Sequence, residues 1–359
     1  MSREQDRIRK KLENNPIVEC NKIQNRFFPQ LFSMFGRVKD PRHQSYIDYS
    51  ARVMLGTMYY KCIAGISSMQ EMTRTFNNER ICRNLYTFMG ENTKNYMPHG
   101  VTENEFLERL DPRELETVQQ NIVYSMIRRK TFDNARVLKK WQVIVDATEL
   151  DEGYQKKNEH YLSRCYNKGE ANEYVKYHRS MLEAKIKKKF PRLPIIITAD
   201  GLYVTKNVLQ ICKDYHWDYI IRYKEGCASS IAKEYRALPE KETEFAWITS
   251  IEITKSNAKK IVCAGRNRWK IENQGFNRQK HWQGNIEHAG SFHERAQKNH
   301  YLMEQIADFM KQLYEKFFLE KNEIKKLQKN ISSELLASFG RQLTETEDIN
   351  TELHKAVLN

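Results

Sequence analysis

The sequence predicts an α/β protein in which a layered core of strands and helices follows an all-helical region. Three observations carry that expectation. Up to about residue 135 the chain holds helix-start signals and apolar helical spacing but no long strand. Two short runs, 142–145 and 195–198, are mostly apolar and β-branched, as buried strands are. From His293 to Leu319 the helical period returns at Leu302, Ile306, Phe309, Leu313 and Phe317.

The N-terminal 35 residues mix charge with an aromatic patch (Phe27, Phe28, Leu31, Phe32, Phe35) and predict one or two helices. GRVKDPR, Gly36 to Arg42, reads as a turn, because Pro41 restricts Asp40 and lacks a donor itself. A helix is expected from about Tyr46 to Ala64, closed by Gly65. Ser68 with Glu71 fits a capping box opening a second helix toward Phe76. That helix, turn, helix order suits a DNA-reading motif and equally an ordinary helical hairpin. Thr102 with Glu105 repeats the capping-box pattern. Asp111-Pro112-Arg113-Glu114 supplies an N-cap, a proline at the first helical position and an early glutamate.

At Trp141 the character changes. WQVIVDATEL predicts a strand, and His160–Tyr166 with Glu173–Tyr177 a strand pair around the turn Asn167-Lys168-Gly169. A basic-faced helix is expected over Ser180–Lys189, a strand at 195–199, a helix around Thr205–Tyr215 and a strand at Asp218–Tyr223. Residues 245–253 and 259–264 are expected to pair as a hairpin, and the tail to be helical to about Phe339. Domain limits follow: helices over 1–135, a core over 136–319 and a charged tail over 320–359. Strands first, then alternating helix and strand, then helices suit a three-layer core of ribonuclease-H type, a mixed sheet flanked by helices.

Composition bounds the function. The 359 residues suffice for two or three domains of roughly 100–200 residues. With 40% hydrophobic and 11% aromatic residues a sizeable core forms, which excludes wholesale disorder. A formal charge of +14 and a pI near 9.3 favour a polyanionic partner, whose counterions the bound lysines and arginines release; a merely soluble basic protein is the plainer alternative. The seven cysteines are scattered without a C-x-x-C pair, pointing to reduced thiols rather than a zinc knuckle or disulfide framework. The polar start MSREQDRIRKK and the lack of any run of about 20 apolar residues lead us to expect a cytoplasmic protein with no membrane partner.

Three carboxylates stand out. Asp146 ends VIVD, Asp200 ends IIITAD, and Glu272 lies in RNRWKIENQGF on an expected helix. Convergent acids can hold two Mg²⁺ ions about 3.5–4 Å apart for in-line attack on a phosphodiester. Their intervals carry no weight, since 46 acidic residues always supply some triplet. Context does, because a carboxylate closing an apolar strand is costly to bury unpaired. The plainer alternatives are a turn at Asp200-Gly201, an N-cap or turn acid at Asp146, and a solvated Glu272 paired with Arg268 at i,i+4.

These segments resemble a known family. Asp146-Ala147-Thr148, Ile197-Thr198-Ala199-Asp200-Gly201 and Arg266-Asn267-Arg268-Trp269-Lys270-Ile271-Glu272 are similar to the acidic motifs of DDE transposases from bacterial insertion sequences. The nearest branch has a Tyr-x-x-Arg-x-x-x-Glu-x-x-x-x-x-x-Lys signature, of which Arg268 and Glu272 keep the central spacing. Gly265 stands at the tyrosine position and Gln279 at the lysine position, with Lys280 one place late; on an α-helix Lys280 would turn roughly 80° from Glu272's face. Ala147 stands where glycine is common. The resemblance spans about Trp141 to Leu313, and Gly36 to Arg129 looks similar to the helical domain preceding such cores.

That resemblance implies a ribonuclease-H-like enzyme using two Mg²⁺ ions, with Mn²⁺ able to substitute. It would cut at an element's terminal inverted repeats and join the 3′-hydroxyl ends to target DNA. Asp146 and Asp200 would share one ion, Glu272 would bind the second, and Arg268 would hold a DNA phosphate. The branch often inserts a β-rich segment before its glutamate, for which 225–264 is the candidate. Joining two ends implies a dimer on double-stranded DNA, and a bacterial enzyme associated with the nucleoid when bound. Lys280 and His281 are candidate DNA contacts; Trp269 is a core-packing or base-stacking residue. Lys185–Lys189 is a solvated face or a phosphate stripe, and the histidines, His300 among them, form no metal spacing. Two rival functions are a nuclease without strand transfer and an inactive DNA-binding relative.

Overall fold

A computed structural model describes residues 15–43, 45, 47–145, 152–153, 161–166, 174–179, 192–204, 206–223, 246–283, 291 and 293–341. In chain order, seven helices come first: α1 (Pro16–Phe27), α2 (Leu31–Gly36), α3 (Ala51–Ile63), α4 (Met69–Phe76), α5 (Glu79–Met89), α6 (Gly100–Arg109) and α7 (Pro112–Arg128). Strands β1 (Trp141–Val145), β2 (Glu152–Gly153), β3 (Tyr161–Tyr166), β4 (Tyr174–Arg179) and β5 (Ile195–Ala199) follow. Then come α8 (Lys206–Asp214), β6 (Asp218–Arg222), β7 (Trp247–Thr249) and α9 (Ala258–Arg266). Two π-helical turns, Ile271–Phe276 and Arg278–Gln283, precede α10 (Glu294–Tyr314), which runs into a third, Glu315–Glu320, before α11 (Gln328–Ser338). No helix among the described residues is long and apolar enough to cross a membrane.

Contacts group the chain into two compact units. One comprises 1–129 with 278–359, the other 130–277.

The first unit is helical among its described residues. Its centre is α3, apolar nearly all round, with almost every residue buried, and α10 packs along it and against α1, α6 and α7. Phe32, Phe35, Tyr59, Tyr60 and Phe339 form an edge-to-face and stacked aromatic cluster at that centre. Ser50 accepts from the Val53 amide and Ser68 from the Glu71 amide, which fixes the starts of α3 and α4. Asp111 does the same for α7 through Arg113, with Pro112 in the first turn as expected. Thr102, by contrast, lies inside α6. The cap there is His99, whose Nδ1 accepts from Val101, while the Gly100 amide donates to Thr73 Oγ1 on α4.

Burial shifts two titratable groups of this unit toward their neutral forms. His300 is pushed down to about 3 by desolvation and by the nearby charge of Lys61. Glu103 is fully buried, and both its carboxyl oxygens lack a hydrogen-bond partner among the described residues. Desolvation raises its pKa well above 4.5, only partly opposed by Arg42. An acid shifted this way contributes most below its unfolded value and loses that contribution as pH climbs toward the folded one. Glu103→Leu is therefore expected to stabilise the protein by about 1–3 kcal/mol at neutral pH. Urea midpoints measured across pH should show the gain growing from about pH 4.5 upward.

The second unit holds a four-stranded sheet in the order β1-β5-β6-β7, and a three-stranded antiparallel sheet β2-β4-β3. In the first, β1, β5 and β6 run parallel and β7 antiparallel to β6. Parallel neighbours require a crossover, and α8 supplies the one between β5 and β6. Period-two alternation then separates the faces. Ile195, Ile197, Val143, Val145 and Tyr219 pack with Cys212 and Val208 of α8. Ile196 and Ile220 pack with Ile261 and Ala264 of α9 on the other face. A mixed sheet thus has one helix on each side.

Two expectations are corrected. Strand β1, at an edge of the sheet, is half-buried throughout, whereas the inner strand β5 is buried along its length. Residues 259–264 are helical rather than the second arm of a hairpin. Ile261, Ala264, Gly265 and Arg268 are buried at helical spacing, whereas Lys259, Lys260 and Arg266 are exposed. The hairpin arm that does form, β7, pairs with β6. The expected helix at Ser180–Lys189 lies outside the described residues, as does all of 225–245.

Candidate active site on one face of the sheet

Strand β5 carries the second acid to its place. Asp200 follows Ala199 in extended backbone (φ −75°, ψ 163°) and is 7% exposed, with Oδ1 sealed from solvent. A short 3₁₀ turn, Gly201–Tyr203, does begin here, closed by the Tyr203 amide donating to the Asp200 carbonyl at 3.0 Å. The Asp200 side chain makes no cap to that turn, so turn chemistry alone does not account for it. Alternation from Ile196 and Thr198 puts Asp200 on the face covered by α9. Asp146 lies outside the described residues. Val145, which precedes it, is the register partner of Ala199, which precedes Asp200.

A side-chain network fastens α9 to the same face. Gln142 Nε2 on β1 donates to Thr198 Oγ1 at 2.8 Å and to the Ala264 carbonyl at 2.7 Å, while its Oε1 accepts from Asn267 Nδ2 at 2.9 Å. Ala264 lies in the last turn of α9, and its carbonyl also accepts from the Asn267 backbone amide at 3.1 Å. Gly265 explains one departure from the transposase signature. A Cβ there would come within 2.5 Å of the Trp247 indole, so β7's tryptophan occupies the room a larger side chain would need.

Beyond α9, Arg268 is buried with its guanidinium 4.6 Å from the Trp269 ring centre. Arg222, at the end of β6, lies 5.9 Å from the same ring. Trp269 is 42% exposed, which corrects the core-packing expectation: it presents an aromatic surface gripped by two guanidinium groups. Glu272 is exposed and sits in a π-helical turn, not an α-helix, so the i,i+4 pairing rule that linked it to Arg268 does not transfer.

Lys280 and His281 belong to the next π-helical turn, so the α-helical rotation separating Lys280 from Gln279 does not apply either. Gln279, at the signature's lysine position, is half-buried and donates to Asp308 Oδ2 at 3.4 Å. Lys280 is half-buried, and the His281 side chain lies outside the described residues.

Sequence reasoning missed a basic stripe. Lys259, Lys260, Arg266 and Lys270 are all exposed along α9 and its extension toward Glu272. Their helical spacing against buried Ile261, Ala264 and Arg268 was the available signal. Gln142 was missed as well, because an amide in a strand carries no motif.

Among the described residues no group of three His, Cys, Asp or Glu gathers to hold a metal. The two described acids, Asp200 and Glu272, are hard oxygen donors of the kind Mg²⁺ takes, and a carboxylate at the end of a buried strand fits that use.

Residues 175–289 match the family model described as a transposase DDE domain, consistent with a DDE transposase. The match encloses Asp200, Arg268, Trp269, Glu272, Lys280 and His281. Comparison with curated proteins and with solved structures gives no match.

Proposed function

We propose that the chain is a DNA transposase that cleaves at the terminal inverted repeats of an insertion sequence and joins the freed 3′-hydroxyl ends to target DNA. The observation that carries the proposal is the transposase DDE domain match enclosing both Asp200 and Glu272. Three parallel strands with a helix on each face support a ribonuclease-H-like core, and the Val145–Ala199 pairing supports adjacent roles for Asp146 and Asp200.

In this reading Asp146, Asp200 and Glu272 hold two divalent ions, Asp146 and Asp200 sharing one and Glu272 taking the other. When bound, Mg²⁺ or Mn²⁺ supplies the Lewis acidity that activates the attacking oxygen and steadies the leaving one. The chain's own residues position the DNA. Exposed Lys259, Arg266 and Lys270 neutralise backbone phosphates, with Arg268 and Lys280 as further phosphate contacts. Trp269 offers a face for an unstacked base, and His281 is a further candidate DNA contact. The helical region before 135 reads or supports the DNA, and two copies act together on the two ends.

The test is an assay with purified protein, Mg²⁺ and DNA carrying the element's ends. Cleavage followed by strand-transfer products is expected. Nicks without transfer would replace transposase by nuclease, and binding without any cut would leave only a DNA-binding relative.

A further inference from the structure

We infer that Gln142 is a positioning residue that sets the place of the segment carrying Glu272 relative to Asp200. The inference rests on the transposase reading and deepens it. Gln142 is half-buried on β1, four residues before Asp146, and its carboxamide meets three partners. The Ala264 carbonyl can only accept, so the amide nitrogen must face it. The oxygen then faces Asn267, whose Nδ2 donates, and Thr198 Oγ1 takes the remaining amide proton. One side chain therefore joins β1, β5 and the C-terminal end of α9.

What it joins is what the reaction needs. Thr198 stands two residues before Asp200 on the same face of β5, and Asn267 five residues before Glu272. The contacts on α9's two sides differ in kind. Ile261 and Ala264 pack on Ile196 and Ile220 without fixing the helix along its axis. The Gln142 amide grips a carbonyl in the last helical turn and the residue after it, and hydrogen bonds of that kind fix position and rotation together. Groups that orient a metal-holding carboxylate without touching the metal typically matter by 10–100-fold.

The experiment compares wild-type protein with Gln142→Met, which keeps the length and removes the amide, and with Gln142→Glu. In Gln142→Met the DNA cleavage rate at saturating DNA should fall about 10–100-fold with the KM for DNA little changed. Backbone amide exchange over 264–268 should quicken, while exchange in α8 and β6 stays as in wild type. In Gln142→Glu, acidification should bring exchange at 264–268 back to the wild-type rate at the same pH, because only the protonated acid can donate to the Ala264 carbonyl. Unchanged exchange at 264–268 in Gln142→Met, or a KM effect without a rate effect, would overturn the inference. A wild-type protein that cuts no DNA would sink the transposase reading alone, and the exchange measurements would still decide whether Gln142 holds α9.

Discussion

Glu272→Gln is expected to eliminate measurable DNA cleavage while leaving DNA binding and folding close to wild type. The substitution keeps the side chain's shape and removes its charge. Glu272 is exposed, so the change should move stability by no more than about 0.5 kcal/mol. Loss of a group that only orients a metal ligand costs roughly 10–100-fold, and loss of a ligand itself should exceed that. Asp200→Asn should be equally inactive but differ in stability, because Asp200 is buried at the end of β5. Glu252→Gln, at another exposed acid of the same unit, serves as the control and should cut normally. The measurements are cleavage rate, DNA affinity and urea midpoint on all three variants. Full cleavage by Glu272→Gln would remove Glu272 from the reaction.

The sequence displayed some of this with clarity. Strand β5, helix α8 and strand β6 lie within a residue or two of their expected limits, because apolar β-branched runs and helical spacing are local signals. The Asp111-Pro112 start of α7 is equally local. Long-range partners are not. The periodicity of α10 announced a buried face but could not say that α1, α3, α6 and α7 cover it. The run Lys259–Ala264 contains Ile261, Val262 and Cys263 in a row, which imitates a strand; only the helix's exposure of Val262 and Cys263 reveals the period. The π-helical turns around Glu272 and Gln279 have no sequence signature, so an argument from α-helical rotation reached residues it does not govern. Of the proposed acids, Asp146 and Asp200 stood out by their place at the ends of apolar runs, and Glu272 by a family likeness. The Gln142 amide that ties β1, β5 and the end of α9 together did not.

Removing Arg278 should be the most destabilising single change in the helical unit. Its guanidinium is 2% exposed, pairs through Nε with Asp308, and meets both carboxylate oxygens of Glu315, one of them at 2.8 Å. Burial alone would lower its pKa, but the hydrogen bonds to Glu315 and the charge of Asp308 outweigh that and raise it. Arg278→Met fills much of the same space and strands two acids, of which Asp308 is itself 2% exposed. Breaking a buried pair in this way costs about 3–5 kcal/mol, chiefly for the uncompensated charge left behind. The cost should shrink on acidification, as protonation neutralises the stranded carboxylates. It should also shrink when Asp308→Asn and Glu315→Gln are added, since a neutral set carries no buried charge. Urea unfolding of the single and triple variants at neutral and acid pH checks both signs. An Arg278→Met protein as stable as wild type at neutral pH would show that this cluster does not hold α10 and the turn after Glu272's own in place.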